Sequence, residues 1–130
     1  MKKILIVDDD ATTRAALGRL LRRAGAEVVT AGDGGEALQH LLATRFDVLM
    51  TDLHMPGPAA DPETVMDGFR LLDECARLPL EHRPRRTIAI SGEYDRRMLR
   101  DLSRSPQSVD FIPKPVDLNQ LLDTIGGQPN

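Results

Sequence analysis

Four short apolar runs each stop at a residue that can do chemistry. Ile4-Leu5-Ile6-Val7 ends at Asp8 and Asp9, and Val48-Leu49-Met50-Thr51 ends at Asp52. Ile88-Ala89-Ile90 ends at Ser91, and Phe111-Ile112-Pro113 ends at Lys114. Short apolar runs bounded by polar residues read as buried parallel strands when helical stretches separate them. Open α/β sheets bind ligands beyond the carboxyl ends of their strands. The residues that punctuate these four runs are therefore predicted to converge at one edge of a sheet.

The pattern predicts strands over 3–8, 27–30, 47–51, 87–90 and 109–112. Between them, apolar residues recur at helical spacing: Ala16, Leu17, Leu20, Leu21 and Ala24, then Ala37, Leu38, Leu41 and Leu42. A third helix needs Phe69, Leu72, Cys75 and Ala76 inward and stops before Pro79. A fourth is expected over 95–104, and a fifth starts near Asp117, a good N-cap, with Leu118, Leu121, Leu122 and Ile125 inward. Gly25 is the expected cap of the first helix, and Gly126-Gly127 ends the fifth. Five βα units imply a single doubly wound, five-stranded parallel sheet with helices on both faces. The order 2-1-3-4-5 is taken from other doubly wound sheets, and periodicity alone does not exclude another.

At 130 residues, the chain fits one domain with a real core. The expected division is a domain over 1–125 and a tail over 126–130. A net charge of −3 argues against direct contact with nucleic acid. No apolar run approaches the length of a membrane span, and the basic start Met1-Lys2-Lys3 meets only four apolar residues before three aspartates. Cys75 is the only cysteine, so no internal disulfide can form. A cytoplasmic protein is expected.

Three carboxylates crowded together repel one another, and a bound Mg2+ relieves that repulsion. A carboxylate can also attack phosphorus and form an acyl phosphate. Lys114 could neutralise a phosphoryl oxygen, and Ser91 could donate a hydrogen bond to another. The set looks assembled for phosphoryl transfer to an aspartate, a reaction governed by positioning and charge. Each residue alone has an ordinary explanation, because Asp at a strand end caps helices and makes turns. Asp10 fits that explanation and is expected to cap the first helix. Their joint occurrence at four strand ends is what points to chemistry.

The segments Ile4-Leu5-Ile6-Val7-Asp8-Asp9-Asp10, Asp52-Leu53-His54-Met55-Pro56-Gly57, Ser91-Gly92-Glu93 and Lys114-Pro115 resemble those of response-regulator receiver domains of two-component signalling. The resemblance spans nearly the whole chain and implies a flavodoxin-like fold. It implies that Asp52 is the phosphoacceptor, and that Asp9, Asp8 (largely through water), Asp52 and the backbone carbonyl of His54 hold Mg2+. It assigns Ser91 as the switch hydroxyl, Lys114 as the phosphate-binding lysine and Phe111 as an aromatic that changes rotamer. It also implies a cis bond before Pro115. His54, Gly92 and Glu93 would tune the pocket, although His54 also reads as a solvent-exposed loop histidine. The implied function is a switch rather than a turnover enzyme. A histidine kinase or histidine phosphotransfer protein would donate the phosphoryl group. A surface of helix four, strand five and helix five would engage a downstream protein, or a second copy once phosphorylated.

Two other readings fit parts of the chain. Asp8-Asp9-Asp10-Ala11-Thr12 also matches the Asp-x-Asp-x-Thr pattern of haloacid-dehalogenase-type phosphatases, with Asp8 as nucleophile and Asp10 as acid/base. That reading leaves Asp52 unexplained and lacks the later acidic motif. A phosphorylation-independent adaptor on the same fold is the third reading. The chain departs from the receiver pattern at Pro58-Ala59-Ala60-Asp61-Pro62-Glu63-Thr64-Val65, which separates Met55-Pro56-Gly57 from Met66-Asp67-Gly68. This insertion is expected to be a tolerated surface loop, or else a device that governs access to Asp52. Cys75 is expected to fill the core rather than to react.

Overall fold

β1 (Lys3–Val7) and β3 (Val48–Asp52) are the strands whose apolar runs are least interrupted, and they lie side by side in the middle of the sheet. Central strands of a parallel sheet are covered on both faces, which is why such runs read as continuous rather than alternating. The computed structural model describes residues 1–54, 67–105, 107 and 109–126. The remaining strands are β2 (Glu27–Ala31), β4 (Arg86–Ser91) and β5 (Val109–Pro113). All pairings are parallel, in the order β2-β1-β3-β4-β5, as expected. The helices are α1 (Ala11–Arg23), α2 (Gly34–Ala43), α3 (Gly68–Arg77), α4 (Arg96–Ser103) and α5 (Leu118–Gly126). A 3-10 turn at Leu80–His82 was not foreseen. The insertion at residues 58–65 lies outside the described residues.

Side chains alternate across each strand, and the alternation sorts the core into layers. Ile4 and Ile6 of β1, Val48 and Met50 of β3, and Ile88 and Ile90 of β4 pack with Leu17, Leu21, Leu121 and Ile125 from α1 and α5. The intervening Leu5, Val7 and Leu49 pack with Ala37, Leu41, Leu71 and Cys75 from α2 and α3. Each fully buried Leu or Ile contributes about 1.5–3 kcal/mol relative to exposure, so these two layers dominate stability. A smaller third group, Leu53, Leu72, Ala89 and Leu102, ties α4 to the sheet.

Among the described residues, each of the five α-helices begins at an aspartate. Asp10, Asp33, Asp67 and Asp95 each accept a backbone N–H in the first turn of α1 to α4, and Asp117 accepts from Gln120 N at the start of α5. These are orphan donors that a short acidic side chain satisfies. Gly25 ends α1 at φ 96°, a left-handed conformation. Its N–H bonds to Arg22 O, and that of Ala26 bonds to Leu21 O, which closes the helix end.

Several residues expected inward face out. Leu20 is 37% exposed, Leu42 52%, Phe69 37% and Leu118 36%, and Ala16 and Ala24 are exposed as well. In α3 the buried set is Gly68, Leu71, Leu72 and Cys75, so Leu71 takes the place assigned to Phe69. The face is set by a glycine that no hydrophobic periodicity records. Among the described residues, no helix is long and apolar enough to cross a membrane.

Candidate functional site

Strand register brings the candidate residues together. Val7 lies beside Thr51, so the next residues, Asp8 and Asp52, emerge at the same level. Asp52 lies beside Ile90, one residue before Ser91. Ser91 lies beside Pro113, and Lys114 N donates to Ser91 O at 3.0 Å. Four strand ends thus deliver Asp8, Asp9, Asp52, Ser91 and Lys114 to one edge. The Lys114–Pro115 peptide bond is cis.

Lys114 Nζ bridges two carboxylates, lying 2.9 Å from Asp52 Oδ2 and 3.2 Å from Asp8 Oδ2. Both aspartates are buried, whereas Asp9 is exposed. The other oxygen of each buried carboxylate meets backbone. Asp8 Oδ1 accepts from Asp10 N at 2.9 Å, and Asp52 Oδ1 accepts from His54 N at 3.1 Å. Burial holds the Asp8 carboxyl above the usual range. The Asp10 amide and the Lys114 charge pull it back, and the Asp52 charge adds to the rise. Burial, rather than repulsion among the aspartates, is the main cause. For Lys114, burial alone would lower the ammonium pKa. The hydrogen bond and charge of Asp52, then those of Asp8, outweigh it and leave the pKa raised.

Carboxylate oxygens of Asp8, Asp9 and Asp52 lie within 4.8 Å of one another. Magnesium binds oxygen at about 2.0–2.1 Å, so ligands on opposite sides of it stand roughly 4 Å apart. The three carboxylates are hard oxygen donors at nearly that spacing, and among the described residues one cation, Lys114, touches them. The donor set fits a hard divalent cation.

Ser91 is fully buried, and its hydroxyl lies 2.8 Å from His54 Nδ1. The His54 ring stands edge-on to Phe69, 5.7 Å between centroids. His54 is thus exposed, as one reading expected, yet engaged within the pocket. Gly92 and Glu93 lie at the rim, and a Cβ on Gly92 would meet Lys114 Cβ at an ordinary 3.7 Å. Phe111 is half-buried and packs edge-to-face on Tyr94, 5.0 Å between centroids. Asp10 is not one of the clustered carboxylates. It accepts from Thr12 N and from the Thr13 hydroxyl, and the Thr13 bond above all holds its pKa below the usual range. A residue so committed to capping is a poor acid/base, which counts against the phosphatase reading.

Two contacts were not foreseen. Arg14 Nη1 donates to Asp8 O at 2.7 Å and fixes the turn that presents Asp8 and Asp9. A Cβ on Gly68 would stand 2.1 Å from Asp52 O and 2.6 Å from Leu53 Cα, so α3 rests directly on the backbone that carries Asp52. The signal for Gly68 was its place just after the N-cap Asp67. Arg14 had none, since an arginine in the first turn of a helix is ordinary.

Comparison with known proteins agrees with this geometry. The family model of the response regulator receiver domain matches residues 4–126. The CAI-1 autoinducer sensor kinase/phosphatase CqsS of Vibrio cholerae is 30% identical over 124 residues, covering 95% of this chain and 17% of its own length. A response regulator receiver protein of Anaeromyxobacter sp. is 32% identical over 123 residues, covering 95% of this chain and 47% of its own. The chain therefore spans less than half the length of either relative. A response regulator receiver protein of Pseudomonas putida, known as a crystal structure, superposes with a TM-score of 0.82 at 28% identity over 98% of this chain and 97% of its own. The chain belongs to the response regulator receiver domain family of two-component signalling.

Proposed function

We propose that residues 1–125 act as a phosphorylation switch in which Asp52 accepts the phosphoryl group. The observation that carries this reading is the Lys114 ammonium bridging Asp52 and Asp8 inside a group of three carboxylates. Lys114 holds a positive charge where phosphoryl oxygens would lie, at the end of β5, where its own amide is bonded to Ser91 O. Asp8, Asp9 and Asp52, with the His54 carbonyl, would hold Mg2+. Bound there, the cation would supply positive charge against the phosphoryl oxygens. In the transfer, an Asp52 oxygen bonds to phosphorus as the bond from phosphorus to the donor breaks, and the donor leaves with that electron pair. Ser91 then donates its hydroxyl to a phosphoryl oxygen. Phe111 follows, and the face formed by α4, β5 and α5 changes affinity for a protein target or a second copy. The donor is a histidine kinase or a histidine phosphotransfer protein, in the cytoplasm. The domain modifies only itself and turns over no separate substrate.

Intact-mass spectrometry after incubation with acetyl phosphate and Mg2+ tests this. A single phosphoryl adduct is expected on the wild-type chain and none on Asp52→Asn or in a chelated sample. An adduct that survives Asp52→Asn but disappears in Asp8→Asn would overturn the assignment in favour of phosphatase-like chemistry at Asp8.

A further inference from the structure

The Ser91 hydroxyl is fully buried, and three groups engage it. It donates to Glu93 O at 2.7 Å, accepts from Glu93 N at 3.0 Å, and lies 2.8 Å from His54 Nδ1. A hydroxyl has one hydrogen and two lone pairs. The Glu93 carbonyl can only accept, so the hydrogen is committed there. The Glu93 amide takes one lone pair. Both Glu93 bonds are met together with the His54 contact only when the imidazole is in its Nδ1–H tautomer, which then donates to the second lone pair. The one hydrogen that the hydroxyl could offer a phosphoryl oxygen is thus engaged by Glu93 O, and the Nδ1 bond holds the oxygen in the rotamer that keeps it there. The imidazole is held in turn, edge-on against Phe69 with an interplanar angle of 82°.

We propose that His54 is a positioning residue that latches the Ser91 hydroxyl in the unphosphorylated protein. The hydroxyl can turn toward a phosphoryl group on Asp52 only when this bond is given up along with those to Glu93. One residue touches both partners, since the His54 amide holds Asp52 Oδ1 at 3.1 Å while its ring holds Ser91. A group arriving on Asp52 therefore disturbs the same residue that restrains the hydroxyl. A histidine that only screened the pocket from water would act whether or not Ser91 were present. This inference rests on the reading of Asp52 as phosphoacceptor.

The test combines four variants with the wild-type chain. His54→Phe keeps a ring against Phe69 and loses the N–H. His54→Asn places an amide where Nδ1 stands. Ser91→Ala removes the hydroxyl, and the fourth variant combines His54→Phe with Ser91→Ala. The readout is the initial rate of adduct formation at sub-saturating acetyl phosphate with Mg2+. His54→Phe is expected to raise the rate roughly two- to tenfold, the range for loss of one neutral hydrogen bond that opposes turning. His54→Asn, whose side-chain amide can still donate to the Ser91 hydroxyl, is expected to reverse most of the rise seen in His54→Phe. In the Ser91→Ala background, His54→Phe has no effect, because coupling vanishes when one partner is gone. The same fold-change in both backgrounds, or none when Ser91 is present, overturns the latch. If the wild-type chain takes no adduct, the phosphoacceptor reading fails, and the latch is judged on the unphosphorylated protein. There, Ser91→Ala must move the His54 Nδ1 nitrogen resonance, and an unmoved resonance overturns the latch by itself.

Discussion

Replacing Gly68 with alanine should damage both the fold and the site, and the structure sets the size of the effect. The new Cβ would lie 2.1 Å from Asp52 O, 2.6 Å from Leu53 Cα and 2.9 Å from Asp52 C. All three neighbours are backbone atoms, so no side chain can swing away. The carbonyl must retreat by more than 1 Å to reach an ordinary contact of 3.4 Å. It sits at the end of β3, where Leu53 N bonds to Ile90 O at 2.9 Å and Gly68 N bonds to Leu53 O at 3.2 Å. Overpacking of this kind costs about 1–3 kcal/mol, and more when backbone must move. The gain in helix propensity is at most about 1 kcal/mol and smaller still at the first helical residue. A net loss of about 2–3 kcal/mol is expected, a large share of the roughly 5–15 kcal/mol typical of a domain. In urea this lowers the unfolding midpoint by roughly 1–2 M. Under native conditions the rate of adduct formation falls as well, because a shift of about 1 Å at a reacting group can cost on the order of 100-fold. Gly18→Ala is the matched control. Its Cβ would meet Arg22 Nη1 and Val28 Cγ1 at an ordinary 3.6 Å in the interior of α1. That substitution should stabilise by up to about 1 kcal/mol. Equal midpoints for Gly68→Ala and wild type, or shifts of the same sign in the two variants, would refute the reasoning.

Asp10→Ala should weaken α1 yet leave the phosphoryl adduct on Asp52 intact, since Asp10 caps the helix through Thr12 and Thr13; loss of the adduct in a variant that is still folded at the assay temperature would restore Asp10 to the chemistry. Burial pushes the Cys75 thiol up to about 12, and the fold therefore favours the neutral form. The stability that this contributes is whole below about pH 8.5 and is lost as pH rises toward the folded value, by at most about 1.4 kcal/mol per pH unit. The difference in urea midpoint between wild type and Cys75→Ala should consequently narrow between pH 8 and pH 10.5, and a constant difference would contradict the assignment. Mg2+ should raise the thermal midpoint of the wild-type chain, by the equivalent of about 2.7 kcal/mol at a hundredfold excess over Kd. Asp9→Asn, a change at an exposed position, should remove most of that shift, and equal shifts in both proteins would count against the metal site.

The sheet and most of the site were legible because both follow from strand periodicity. Ile4 and Ile6 point to one layer and Leu5 and Val7 to the other, and one more residue along the same strand brings the chain to Asp8. Once β1 and β3 are neighbours, register alone sets Asp8 beside Asp52. The apolar faces of the helices were read less well. Leu20, Leu42 and Phe69 recur at helical spacing but lie on the shoulder of each stripe, where hydrophobicity does not decide burial. The 3-10 turn at Leu80–His82 has no period to betray it.

What periodicity could not reach are the contacts made across loops, and these govern how the site is held. Ser91 was legible as a strand-end hydroxyl, but its three partners come from Glu93, two residues on, and from His54, on a different strand end. Nothing in the spacing of 54 and 91 predicts that pairing, because it depends on the path of the chain after β3 rather than on its register. Gly68 is similar. Its glycine looks like an ordinary start to α3, and only the 2.1 Å approach to Asp52 O shows that the helix leans on the strand end bearing the carboxylate. The two contacts meet at one short segment, Asp52 to His54. Gly68 presses on its backbone from the side of α3, and Ser91 is bonded to its histidine ring from the side of β4. A segment gripped from both sides has little room to adjust alone. If Asp52 takes a phosphoryl group as proposed, the weaker grip must yield first. One hydrogen bond to an exposed ring is weaker than a helix resting on backbone. The geometry therefore favours movement at Ser91, with α3 as the fixed support.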